Sequence, residues 1–218
     1  IRFFLPSKKT LTINGKSKKI IGMRINDKKD INKIVLNKFL LLVFWFIIKS
    51  RYFILSPPVM PHGIKNNSDK TARLLVMFPK INPQREAVEN HKTSPGIPEK
   101  YVSIREKMEP FEFAPGIMRY DMVGDFSGAK SSYFSELNFS PGSDAPNHYH
   151  PHHEESMYCL EGKLNAVYLE ENNIELNAGD MFTAEVEARH GCNNPFDGKG
   201  TLLAIHCVLN PPPRVECD

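Results

Sequence analysis

The stretch Gly142-Ser143-Asp144-Ala145-Pro146-Asn147-His148-Tyr149-His150-Pro151-His152-His153-Glu154-Glu155, continued by Ser156-Met157-Tyr158-Cys159-Leu160-Glu161-Gly162, sets four histidines within six positions between two glycines. Side chains alternate along a strand, so His148 and His150 point to one face. Glu155 lies five positions beyond His150, the wrong parity for that face on an unbroken strand. Pro151 cannot donate to a β-ladder and favours a break at that point. A strand, a tight turn and a returning strand then carry Glu155 opposite the two imidazoles, with Met157 and Cys159 on the same inward face.

The surrounding sequence has the texture of a β-domain. Short β-prone runs at 111–113, 117–123, 132–139, 156–160, 164–169, 174–176, 180–184 and 201–209 alternate with turn pairs such as Pro115-Gly116, Ser127-Gly128, Pro141-Gly142, Glu161-Gly162 and Ala178-Gly179. Roughly eight strands without a convincing amphipathic helix predict an all-β sandwich or barrel over 101–212. One parity of Tyr133, Phe134 and Phe139 is expected to line its interior.

The 218 residues carry a formal net charge of +3, which hides an asymmetry. Residues 1–100 hold 20 basic and 6 acidic side chains, and residues 101–218 hold 8 and 19. The acidic half has no basic stripe with interleaved aromatics, which excludes nucleic-acid binding as its work. Four cysteines, Cys159, Cys192, Cys207 and Cys217, contain no CxxC pair and fit neither a zinc finger nor a thioredoxin-like motif. A chain of this length buries a core without disulfides, so free, mostly buried thiols and a reducing compartment are expected.

The chain begins at Ile1 rather than Met, and residues 1–22 read as a fragment start or an upstream extension. Residues 1–55 form a basic N-terminal extension. Within it, ten uninterrupted apolar residues at 39–48 stand between Lys38 and Lys49. That layout suits a signal or anchor segment, an untranslated extension or a buried core element. Any membrane contact is confined to 39–48: the β-domain is expected to be cytoplasmic, or anchored or exported if that segment is genuine. Residues 56–100 are punctuated by Pro57-Pro58, Pro61, Pro79, Pro83, Pro95 and Pro98 and read as a linker. Residues 74–78 are the exception, a short run fit for a strand padding the edge of the next domain.

At the level of motifs a family resemblance is specific. Gly142, five residues, His148-Tyr149-His150, four residues, Glu155, six residues and Gly162 resemble position for position the first motif of the cupin superfamily. After 16 more residues, Gly179 followed by His190 and Asn194 resembles the second. That second motif departs from the family where Glu185 stands for the usual proline and Glu187 for the usual glycine. The resemblance covers about residues 110–210. It implies a cupin-type jelly-roll barrel in which His148, His150, Glu155 and His190 ligate one divalent transition metal ion. Three imidazoles and a carboxylate suit Fe, Mn, Co, Ni, Cu or Zn and leave two octahedral positions free.

A histidine-rich run is by composition as often an exposed, adventitious metal binder as a built site. The motif spacing and the distant His190 weigh against that here. His152, His153 and Glu154 are expected in a solvated loop. His206 reads as a buried strand residue with a satisfied hydrogen bond, or as a donor facing the cavity. Asn194 is expected to fasten a turn. His62 and His91 lie in linker regions and carry no case.

Similarity to small dioxygenase-like cupins implies an oxidoreductase acting on a small-molecule substrate that chelates the ion through oxygen atoms, with Glu155 doubling as the base. Two other readings stand beside it: non-redox isomerisation or decarboxylation, and ligand binding without turnover. Exposed barrel edges and the habits of similar cupins imply a homodimer.

Overall fold

The computed structural model describes residues 11–13, 16–18, 51–87, 99–169 and 172–217. The chain divides into two compact units, residues 1–42 and 43–218. In the first, β1 (Leu11–Ile13) and β2 (Lys16–Lys18) pair as an antiparallel hairpin. The apolar run at 39–48 lies outside the described residues. No helix among the described residues is long and apolar enough to cross a membrane.

The second unit is all-β, as the alternation of short apolar runs and turns predicts. After β3 (Tyr52–Ile54) and β4 (Val102–Ile104), the strands are β5 (Phe111–Ala114), β6 (Ile117–Val123), β7 (Tyr133–Phe139), β8 (Asp144–Tyr149), β9 (Glu155–Glu161), β10 (Lys163–Tyr168), β11 (Asn172–Asn177), β12 (Met181–Ala184), β13 (His190–Asn193), β14 (Gly200–His206) and β15 (Val215–Glu216). A five-stranded sheet runs β11-β10-β13-β8-β15, a six-stranded sheet runs β12-β9-β14-β7-β6-β5, and every pairing is antiparallel. One apolar cluster joins their inner faces, with Ile117, Phe139, Met157 and Leu202 from one sheet and Leu164 and Cys192 from the other. The result is a jelly-roll sandwich with a buried interior.

Strand parity settles which aromatics face inward. Tyr133, Ser135, Leu137 and Phe139 line the interior, whereas Phe134 turns outward and packs with Met122 and Val123. That outer cluster is covered by Phe53 and Leu55. Residues 52–54 therefore pair with 102–104 and lie against the barrel's outer face. Glu136, outward by parity yet fully buried, receives a 2.8 Å hydrogen bond from Arg105 Nε and has Arg51 3.5 Å away. Arg105 itself stacks 3.2 Å from the centroid of the Tyr120 ring.

Two sequence expectations are corrected. Residues 74–78 form no strand, and Leu74, Leu75, Val76 and Phe78 are exposed; a five-residue apolar run without a neighbouring ladder has nothing to pair with. Of the four free cysteines, Cys159 and Cys192 are buried, but Cys207 is exposed and Cys217 half-buried, so the thiols divide evenly.

Removing one partner of a buried ion pair leaves the other uncompensated. Arg105→Ala, which leaves the Glu136 carboxylate with the more distant Arg51 and a 3.3 Å hydrogen bond from Asn138 Nδ2, is expected to destabilise the barrel by about 3 kcal/mol in urea-unfolding experiments. A loss below about 1 kcal/mol would show that Arg51 and Asn138 together suffice to hold Glu136.

Candidate metal centre

The chain delivers its histidines from both sheets. His148 sits near the end of β8, with His150 just beyond it; Glu155 opens β9, His190 opens β13 and His206 closes β14. Register aligns them: His190 pairs with His148 across one ladder, and His206 with Glu155 across the other. The break at Pro151 reverses the chain as the parity argument requires. Glu155 thus returns opposite the two imidazoles of the preceding strand.

One carboxylate oxygen is the meeting point. Glu155 Oε2 lies 2.8 Å from His150 Nε2, 3.1 Å from His190 Nε2 and 3.4 Å from His148 Nε2. All four residues are buried, His190 at 1% exposure. Their four ligand atoms fall within 4.8 Å of one another, so the group can hold a metal ion.

The tautomers define what such a group can bind. His148 Nδ1 lies 3.0 Å from the carbonyl of Pro146 and His190 Nδ1 lies 2.8 Å from that of Ala188. A carbonyl only accepts, so in the neutral imidazole each Nδ1 carries the proton and each Nε2 presents a lone pair. Two lone pairs aimed at one carboxylate oxygen repel unless protons or a cation lie among them. A backbone-anchored Nδ1–H and a free Nε2 are what a divalent transition metal requires of a histidine. Burial raises the Glu155 carboxyl; where protons do sit on the Nε2 atoms of His148, His150 and His190, their hydrogen bonds outweigh it and hold the carboxyl well below the usual carboxylate range. The donor chemistry fits the ion.

The turn that presents His190 carries the departure from the family pattern. Glu187 adopts φ +63°, the left-handed conformation for which glycine is suited, and its N–H donates to the carbonyl of His150 over 2.9 Å. Ala188 N–H donates to the carbonyl of Glu185, and Ala188 O anchors His190. The turn is built without the usual residues, at the cost of strain at Glu187. Among the motif glycines, Gly162 has φ +71° and a Cβ there would meet Lys199 O at 2.2 Å, so a side chain is excluded. Asn194 is fully buried and fastens a turn, its Nδ2 donating to Phe139 O and Gly198 O and its Oδ1 accepting from Phe196 N–H.

His148, His150 and Glu155 line a cavity of ≈ 460 Å³. Leu137, Phe139, Met157 and Leu202 make much of its wall, and Pro211, Pro212 and Pro213 border it. A polar edge is set by Arg119, whose Nε donates to Asp121 at 2.8 Å and whose Nη2 donates to Tyr133 at 2.6 Å. Burial first, then the hydrogen bond with Asp121, pushes the Tyr133 phenol up to about 12, so it stays neutral at physiological pH.

Of the three residues expected in a solvated loop, His152 and Glu154 are exposed as expected, whereas His153 is buried. His153 turns inward to place Nε2 3.0 Å from His206 Nδ1, and His206 Nε2 lies 3.8 Å from Glu155 Oε1. His206 is the strand residue with a partner and also lines the cavity, so both readings of it hold. Burial drives its pKa down to about 4, against the pull of Glu155. Arg119 has no sequence signal, because a lone arginine on a β-run is unremarked by any motif; only register brings it to Tyr133.

Residues 135–206 match the sequence model of the Cupin domain family. The chain is 28% identical over 116 residues to the polyketide synthase CurC of Streptomyces cyaneus, spanning 53% of this chain and 74% of that protein. Among solved structures, the polyketide cyclase RemF from Streptomyces resistomycificus aligns with a TM-score of 0.47 at 20% identity, over 52% of this chain and 82% of that one. KdgF from Halomonas sp. aligns with a TM-score of 0.44 at 18% identity, over 51% and 93% respectively.

Left-handed backbone costs a non-glycine residue about 1–2 kcal/mol, while glycine loses about 0.5–1 kcal/mol more entropy on folding. Relief of strain wins, so Glu187→Gly is expected to raise stability by about 0.5–1 kcal/mol, measured as a higher melting temperature. A lower one would mean that the Glu187 side chain contributes more than its backbone costs.

Proposed function

Because residues 135–206 form a cupin domain, we propose that the protein is a metal-dependent enzyme of dioxygenase-like type, acting on a small organic substrate that chelates the ion through two oxygen atoms. The observation that supports this is the convergence of His148, His150, Glu155 and His190 beside a cavity with apolar walls and one polar edge. These four side chains hold the ion. When bound, it supplies Lewis-acid polarisation of substrate oxygens and, if redox-active, electron transfer with dioxygen.

The chain's own residues do the rest. Leu137, Phe139, Met157 and Leu202 cover the apolar body of the substrate and exclude water from the reacting end. Arg119, held by Asp121 and Tyr133 at the cavity's polar edge, fixes a polar group of the substrate. Glu155 takes the hydroxyl proton of an enol or phenol at Oε1, the oxygen outside the three-imidazole contact. Its depressed pKa makes it a weak base, so proton uptake requires the Oε2 contacts to loosen first. The binding of a second copy of the chain is part of the same reading, as a homodimer.

A non-redox reading is favoured by one observation, the similarity to CurC, whose name is that of a polyketide synthase. A poly-β-ketone is enolisable and chelates through neighbouring oxygens, so the same donors and apolar walls suit it without dioxygen.

The two are separated by following oxygen. Protein reconstituted with Fe(II) is expected to consume dioxygen with a catechol or enolic β-diketone panel, and Glu155→Gln is expected to reduce the rate about 10²–10⁴-fold. Turnover that continues unchanged under nitrogen with Zn(II) or Mn(II) would replace the dioxygenase reading with the non-redox one. Stoichiometric metal with no turnover of any panel member under either atmosphere would count against both and leave a binding cupin.

A further inference from the structure

We propose that His150, His153 and His206 form a second cation seat adjoining the first, with His150 as the shared ligand. It goes beyond the functional reading above and rests on it only for that sharing.

The three imidazoles are 5%, 8% and 7% exposed. Their ligand nitrogens lie within 4.8 Å of one another. Ring centroids are 4.5 Å apart for His150 and His153, 5.1 Å for His153 and His206, and 5.2 Å for His150 and His206. The 3.0 Å between His153 Nε2 and His206 Nδ1 falls within the spacing of two nitrogen ligands on one ion, about 2.8–3.4 Å from octahedral to tetrahedral angles for metal–nitrogen bonds of about 2.0–2.1 Å. A single hydrogen bond accounts for that spacing as well, but not for what surrounds it. His150 Nδ1, the ring nitrogen opposite the one that meets Glu155, is buried with no hydrogen-bond partner. A buried polar atom left unpaired is costly, and a cation beside it supplies the missing partner.

Ligand type sets the class of cation. With three imidazoles as its donors and the Glu155 carboxylate engaged in the first group, the seat favours Zn, Cu, Ni or Co over Mn, Mg or Ca. His150 Nε2 faces Glu155 Oε2 at 2.8 Å, so when both seats fill His150 serves the second through Nδ1. The imidazole then binds as a bridging imidazolate, its remaining N–H proton passing to solvent as the second ion enters.

The test is a titration of the full metal-free chain with Co(II), read by calorimetry, visible absorption and metal analysis after gel filtration. Wild-type protein is expected to take two equivalents, the second with release of a proton. His153→Gln and His206→Gln, which keep the side-chain bulk, should each take one, and His190→Ala should lose the other. His152→Ala, outside both groups of donors, should keep both; thermal melting of each variant verifies folding. Equal uptake by wild type, His153→Gln and His206→Gln, whether of one equivalent or two, overturns the second seat and leaves the four-donor reading standing. A single wild-type ion that is lost from those two variants but kept by His190→Ala supports the three-histidine seat and overturns the four-donor reading.

Discussion

A carboxylate buried among imidazoles is the constraint on which the rest of this barrel turns. Moving an unpaired carboxylate out of water costs several kcal/mol, and Glu155 is 6% exposed. Its charge meets three Nε2 atoms within 3.4 Å of Oε2 and His206 Nε2 at 3.8 Å from Oε1. Two of those imidazoles have their other nitrogen tied to backbone carbonyls and so meet the carboxylate with lone pairs. The arrangement is repulsive when neutral and empty of positive charge. It becomes favourable with a cation at its centre, so the same electrostatics that make the site costly make it selective.

The fold exists to bring that group together from distant positions. Adjacent strands in the sheets supply it by register, His190 against His148 and His206 against Glu155. A one-residue slip in either ladder would turn a ligand to the opposite face. Turns hold the register: Glu187 N–H on the His150 carbonyl ties the loop before His190 to the loop after His148, and Asn194 locks the end of β13 to β7 and the following turn. Strain at Glu187 is tolerated because the surrounding hydrogen bonds over-determine the turn.

Much of this architecture is legible in the sequence, for identifiable reasons. The separation of His148 and His150, the break at Pro151 and the return of Glu155 follow from strand periodicity and proline chemistry, and those three site residues do meet. Periodicity alone leaves open which of Tyr133 and Phe134 faces inward; pairing of β7 with β14 decides it. β13 has little local signal because Gly191 and Asn193 are poor strand formers, and burial between β8 and β10 overrides that preference. His153 reads as solvated because its neighbours are polar, and nothing local foretells that it turns inward towards His206. The strand expected at 74–78 fails for the complementary reason, local propensity with no ladder to join.

The most direct test of the central claim is a crystal structure of protein loaded with one equivalent of Co(II), with anomalous data collected at the cobalt edge. The account predicts one anomalous peak bonded to Nε2 of His148, His150 and His190 and to a carboxylate oxygen of Glu155. A peak elsewhere, with the His190 ring turned away from Glu155, would contradict it.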